Sequence, residues 1–123
     1  AIEGKRGNKF RPEDTRNFTL LLAEFRRQLD EIDPNLLLTI AAPAGKPYYS
    51  LMELDQLHPY LDWINVMTYD YHGTWDREGP TNHLAPLYPS DDDPSNGGSV
   101  DQSLQAYLDA GIPPDKLTLG VPF

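Results

Sequence analysis

The stretch Trp63-Ile64-Asn65-Val66-Met67-Thr68-Tyr69-Asp70-Tyr71 constrains this chain more than any other. Its apolar run, bounded by aromatic residues, suits a strand covered on both faces, as a parallel sheet requires. The expected strand runs from Trp63 to about Tyr71 and then turns abruptly polar. It leaves a phenol, a carboxylate and the His72 imidazole at its C-terminal end. In parallel α/β folds that end is where ligands bind. A plainer reading of the same residues has Tyr69 and Asp70 only closing a strand and capping a turn.

The neighbouring segments supply the rest of an α/β pattern. Pro12 opens a helix, with Glu13 and Asp14 suiting the positive end of its dipole. Phe18, Leu21, Leu22, Phe25, Leu29 and Ile32 follow at helical spacing on one face, and Pro34 stops the helix. A first strand is expected over Leu36–Ala42, with a turn at Gly45-Lys46-Pro47. Ser50-Leu51-Met52-Glu53 reads as a capping box for a short helix that turns Leu51, Leu54, Leu57 and Leu61 inward. Ser99-Val100-Asp101-Gln102 reads as a second one, opening a helix that turns Leu104, Tyr107 and Leu108 inward and stops at Gly111. A third strand is expected over Lys116–Val121. Helices alternating with strands imply a parallel sheet joined by right-handed crossovers.

Residues 1–10 show no periodicity and read as a loop. So does the stretch from His72 to Gly98, about 27 residues long. Loops of that length inside a domain are usually functional or disordered, and this one leaves the strand end that carries Tyr69 and Asp70. Its His72, Trp75, His83 and Tyr88 are candidates to line a binding cleft there, where aromatic faces can pack on a ligand. Alternatively, Leu84, Pro86, Leu87 and Tyr88 pin the loop onto the sheet.

Met67-Thr68-Tyr69-Asp70 resembles the Met-x-Tyr-Asp signature on the sixth strand of glycoside hydrolase family 18, the chitinase family. The likeness extends along the chain in the family's order. Arg11-Pro12-Glu13-Asp14 and the helix through Asn17–Leu22 resemble the helix after strand four. Leu37–Ala41 resembles strand five, and Leu117-Thr118-Leu119-Gly120-Val121-Pro122-Phe123 resembles strand seven. The implied fold is a partial (β/α)8 TIM barrel of about three parallel strands with alternating helices, a fragment of one catalytic domain spanning 1–123. The length agrees, because a complete barrel takes about 250 residues. The family's Asp-x-x-Asp-x-Asp-x-Glu motif, which supplies the general acid, does not occur here; the resemblance places it before Ala1.

The resemblance implies a retaining glycosidase that cleaves β-1,4-linked N-acetylglucosamine with the substrate's own acetamide as nucleophile. It gives Tyr69 the task of holding that acetamide through its hydroxyl, and Asp70 that of accepting hydrogen bonds and favouring developing positive charge. Met67, Tyr71, His72 and Trp75 become substrate-binding candidates, with Met67 in the apolar floor. No cofactor is implied, since acid and substrate do the chemistry. The expected ligand is chitin or a chito-oligosaccharide, and secretion is inferred from that polymeric substrate. The Tyr71-His72-Gly73-Thr74-Trp75 continuation looks more like chitinases than the family's endo-β-N-acetylglucosaminidases. Asp76, Glu78 and Glu3 do not follow a strand in the acid motif, so the isolated chain is expected to be inactive. A non-catalytic, chitinase-like carbohydrate-binding protein is the alternative.

Composition narrows the partners. With 19 Asp and Glu against 10 Lys and Arg, a net charge of -9 argues against nucleic acid. No apolar run approaches the roughly 18 residues that span a membrane. The chain has no cysteine, which excludes disulfides. His58, His72 and His83 share no metal-site spacing, and Asp91-Asp92-Asp93 with Pro94, Ser95 and Asn96 reads as a solvated charge run rather than a calcium loop. Apolar strands cut from a barrel leave open edges, so self-association or pairing with a complementing barrel fragment is expected.

Overall fold

Pro43 and its register partner Met67 close the ladder at the centre of the molecule. Pro43 has no N–H to donate, so pairing cannot run further along that strand. In the computed structural model, which describes residues 6–93 and 97–123, three parallel strands lie in the order β1-β2-β3. They are β1 (Thr39–Pro43), β2 (Trp63–Met67) and β3 (Leu117–Leu119). Each is shorter than the sequence suggests. Leu36 and Leu37 lie outside the ladder, where the Leu36 amide closes a turn onto Asp33. Tyr69, Asp70 and Tyr71 lie beyond β2, and Gly120 and Val121 beyond β3.

Among the described residues, four α-helices and two short 3-10 helices (His58–Tyr60 and Pro114–Lys116) connect and flank the strands. Helix α1 (Asp14–Ile32) starts where the Asp14 carboxylate accepts the Arg11 amide at 2.7 Å, and ends with the Asp33 amide on Leu29. Its buried stripe runs through Phe18, Thr19, Leu22 and the half-buried Arg26. That stripe is rotated from the expected apolar face, so Leu21, Phe25 and Ile32 point to solvent, Ile32 at 77% exposure. The reason is polar. Arg26 pairs with Asp30 at 2.7 Å and Asp62 at 3.4 Å, and Asp62 also accepts the Leu38 amide at 2.6 Å. These contacts turn the Arg26 side of α1 onto the strand starts.

After β1, the turn expected at Gly45-Lys46-Pro47 is instead one helical turn, α2 (Lys46–Tyr49), with Gly45 as its N-cap. The Ser50 capping box does not form. Ser50 closes α2, its amide bonding to Lys46, and α3 (Leu54–Leu57) starts after Glu53 with no side-chain cap. Leu54, Leu57 and Leu61 are buried as expected. The Ser99 cap does form: its hydroxyl accepts the Gln102 amide at 3.2 Å and opens α4 (Val100–Asp109). Tyr107 is wholly buried, Leu108 points outward, and Gly111 follows at φ +89.

The core lies between one sheet face and the helices, built on Ala42, Ile64, Val66, Leu57, Tyr107 and Ile112. The strands are therefore covered on one face, not two. On the other, Ala41, Asn65, Met67 and Thr118 are exposed. Asn65 crosses all three strands there, donating to the Ile40 carbonyl (3.3 Å) and accepting from the Thr118 hydroxyl (2.7 Å). Among the described residues no helix is long and apolar enough to cross a membrane, and no cluster of three metal-ligating side chains forms.

Candidate active site

The chain leaves β2 through two tight reversals. The Thr68 amide bonds back to Val66 and the Tyr69 amide to Met67, each at 2.9 Å. Thr68 is fully buried and donates its hydroxyl to the Gly120 carbonyl at 2.7 Å, while the Gly120 amide bonds to Val66 at 2.9 Å. This links the C-terminal ends of β2 and β3 directly under the Tyr69 ring. A Cβ on Gly120 would lie 2.8 Å from Tyr69 Cε1, so only glycine leaves the ring its place. Asp70 follows at φ +61, a left-handed conformation that turns the chain sharply. The Tyr71 amide then bonds to Leu84 across the loop.

These turns open a cavity of ≈ 530 Å³ at the C-terminal ends of β1 and β2. Met67, Tyr69, Asp70, Tyr71 and Trp75 all line it. The opposite wall comes from Pro43, Ala44 and Gly45, with Pro47 and Tyr48 of α2, and Gly97 closes the far side. Asp70 is the one carboxylate among the lining residues. The wall is mostly apolar and aromatic with a few polar groups, the usual make-up of a small-molecule site.

A buried hydrogen-bonded chain fixes the β1 side of this cavity. Tyr71 and Ser103 share a hydrogen bond at 2.7 Å, and the Ser103 hydroxyl reaches the carbonyls of Ala44 (3.0 Å) and Ser99 (2.9 Å). The Tyr107 hydroxyl donates to the Pro43 carbonyl at 2.7 Å, and its ring meets Tyr49 edge-on at 5.8 Å. Burial raises the Tyr71 and Tyr107 phenols above their ordinary value, opposed in Tyr71 by the Ser103 hydrogen bond.

His72 sits apart from the cavity lining. It is 5% exposed, with Nδ1 3.5 Å from Asp76 Oδ2 and Nε2 3.2 Å from Asp93 Oδ2. Asp93 thus departs from the solvated charge run expected of it. It holds His72 and accepts the Gly97 amide at 3.1 Å, whereas Asp91 and Asp92 are exposed. Pro94, Ser95 and Asn96 lie outside the described residues. Asp76 accepts the Gly73 amide, and Glu78 lines a hollow behind Trp75. Leu84, Leu87 and Tyr88 are exposed, so backbone bonds pin the loop where side chains were expected to: Tyr71 to Leu84, Val100 to Pro86 and Asp101 to Leu87.

The sequence did not point to Pro43, Ala44, Tyr48 or Gly97 as lining, because their place depends on β1 ending beside β2. Gly120 carried a usable signal, since a lone glycine in a strand pattern marks close backbone approach.

The family model for glycosyl hydrolases family 18 matches residues 1–123. The chain belongs to that family. It is 40% identical over 128 residues to chitinase A1 of Niallia circulans, covering 98% of this chain and 18% of that protein. Its structure is similar to chitinase ChiA74 from Bacillus thuringiensis, with a TM-score of 0.90 and 43% identity over 99% of this chain and 20% of that one. It is also similar to catalytic domain 2 of the Ostrinia furnacalis Group II chitinase, solved in complex with penta-N-acetylchitooctaose. There the TM-score is 0.85 and the identity 35%, over 94% of this chain and 29% of the other. The chain spans about a fifth of the curated relative it matches. Its three strands are accordingly a sector of the family 18 (β/α)8 barrel, and the exposed Asn65-Met67 face is the face such a barrel turns inward.

Proposed function

We propose that this family 18 chain is the acetamide-holding sector of a chitinase-type retaining glycosidase acting on β-1,4-linked N-acetylglucosamine. The observation that carries the reading is the placement of Tyr69 and Asp70 together at the C-terminal end of β2, opening on a cavity walled by Met67, Tyr71 and Trp75. In this reading the substrate's acetamide carbonyl oxygen attacks the anomeric carbon and the glycosidic C–O bond breaks. The leaving oxygen takes a proton from a general acid outside the described residues. Water then attacks the anomeric carbon from the face the leaving group vacated, gives its proton to the deprotonated acid and breaks the ring's C–O bond, which restores the acetamide and retains the configuration. Tyr69 holds the acetamide in line, and Asp70 stabilises the positive charge that develops beside it. Met67 and Trp75 give the sugar rings apolar surface. A polymeric substrate too large to enter a cell implies action outside it.

The test is fluorophore release from a labelled chitobioside, with the segment carried in a full family 18 barrel and also alone. Turnover is expected from the full barrel, with a loss of about 100-fold in Tyr69→Phe, and none from the segment alone. Oligosaccharide binding without turnover in the full barrel would overturn the hydrolase reading in favour of a carbohydrate-binding protein. Turnover by the segment alone would overturn the assignment of the acid to another part of the barrel.

A further inference from the structure

We propose that His72 is a positioning residue that clamps the loop after β2 and holds Trp75 and Gly97 in place in the lining of the cavity. No regular ladder orders this loop: its described residues form neither strand nor helix between Met67 and Val100. Backbone bonds hold its later part, from Tyr71 to Leu84, Val100 to Pro86 and Asp101 to Leu87, which leaves the turn around Trp75 to side-chain contacts. His72 provides a central one. Its ring is buried and carries a nitrogen on each side, so one side chain reaches both Asp76 and Asp93.

Each carboxylate passes the restraint on to a residue of the cavity wall. Asp76 accepts the Gly73 amide at 3.0 Å and closes the tight turn that contains Trp75. The indole lies flush on Gly73, where a Cβ would fall 2.4 Å from Trp75 Cη2. Asp93 accepts the Gly97 amide at 3.1 Å, and Gly97 lines the same cavity as Trp75. Gly73 is the ring's packing surface, and 57% of Trp75 stays exposed where it lines both the ≈ 530 Å³ cavity and a ≈ 380 Å³ hollow. With so little cover, the ring stays where its turn is held.

The test uses a full family 18 barrel carrying this segment, with Trp63→Phe and the indoles outside residues 1–123 replaced, so that Trp75 is the one that emits. Time-resolved fluorescence anisotropy reads its nanosecond motion without any ligand. The amplitude of fast depolarisation is expected to rise about twofold in His72→Ala, as for a side chain released into a mobile loop. His72→Gln, which keeps a donor toward one carboxylate, is expected to restore part of the difference. Should His72→Ala fail to fold, Asp76→Asn and Asp93→Asn alter one contact at a time and give the same readout. Unchanged Trp75 motion in a folded His72→Ala, or in both Asn variants, overturns the proposal.

A second arm measures affinity for a five-unit chito-oligosaccharide and rests on the chitinase reading above. A fall of about tenfold in His72→Ala is expected from the loosened Trp75 wall. Weaker binding with unchanged anisotropy overturns the clamp. If the unsubstituted barrel binds no oligosaccharide, the chitinase reading fails, while the anisotropy still decides on the clamp.

Discussion

Gly120→Ala adds one methyl group at the point where strand chemistry meets the site. That methyl falls 2.8 Å from Tyr69 Cε1 and 2.8 Å from the Val66 carbonyl oxygen. Carbon atoms pack at about 3.5–4.0 Å, so the methyl stands about 0.7–1.2 Å too close to the ring. The Val66 carbonyl cannot retreat, because it accepts the amides of both Thr68 and Gly120 at 2.9 Å. Nor can Gly120 back away, since its own carbonyl holds the Thr68 hydroxyl at 2.7 Å. The half-buried Tyr69 ring is the part able to move, by about 1 Å. Overpacking costs about 1–3 kcal/mol; the ring can swing away but the Val66 carbonyl cannot, which puts this case near 2 kcal/mol. At about 3–6 °C per kcal/mol for a domain of this size, that lowers Tm by about 6–12 °C. A displacement of about 1 Å in a positioning group costs roughly 100-fold in rate. The assay pairs thermal melts of the chain with chitobioside hydrolysis by the full barrel carrying the substitution. Gly111→Ala is the control: its φ of +89 imposes about 1–2 kcal/mol of backbone strain far from the site, with nothing near its Cβ. The expected pattern is a similar Tm loss in both variants and a rate loss in Gly120→Ala alone. Equal rates, or an unmoved Tyr69 ring in the Gly120→Ala structure, would refute the steric argument.

Asp70 sits at φ +61, where an L-residue with a Cβ stores about 1–2 kcal/mol. Asp70→Gly is therefore expected to melt higher than Asp70→Ala by about 1 kcal/mol, while both lose hydrolysis in the full barrel; equal melting points would count against strain at this turn. Burial raises the phenols of Tyr71 and Tyr107, so the folded chain holds those protons more tightly than the unfolded chain. Their contribution is complete below about pH 10 and is lost as pH rises toward the folded values, so urea midpoints should fall above about pH 10 and fall less in Tyr71→Phe. The exposed Leu21, Phe25 and Ile32 of α1, with the open edges of β1 and β3, are expected to drive self-association of the isolated chain. Sedimentation should show species above the monomer that Phe25→Glu reduces, and a sharp monomer boundary for the unsubstituted chain would count against it.

What could be read in the sequence, and what could not, divides along a physical line. Patterns that act within a few residues were legible. The Ser99 box caps α4 as its spacing requires, Gly111 takes the left-handed φ that a helix stop needs, and Ile64 and Val66 bury themselves. The grouping of Met67, Tyr69, Asp70, Tyr71 and Trp75 around one cavity follows from their shared place at the end of one strand. Features set by a distant partner were not legible. Strand β2 stops early because Pro43, 24 residues before Met67 in sequence, ends the ladder beside it. The Ser50 box fails because Lys46–Tyr49 takes up a helical turn first and makes Ser50 its end. Asp93 looked like one member of an acidic run, and the Gly97 amide and the approach of His72 from the other end of the loop set it apart. The rotation of α1 makes the same point about apolar surface. Periodicity correctly marks Leu21, Phe25 and Ile32 as residues that need cover, but it does not name the partner, and Arg26 and Asp62 turn the helix another way. In a barrel each helix packs against its neighbours as well as the sheet. The uncovered side of α1 is thus a barrel sector's unmet requirement, written in the sequence and met only by the segments on either side of it.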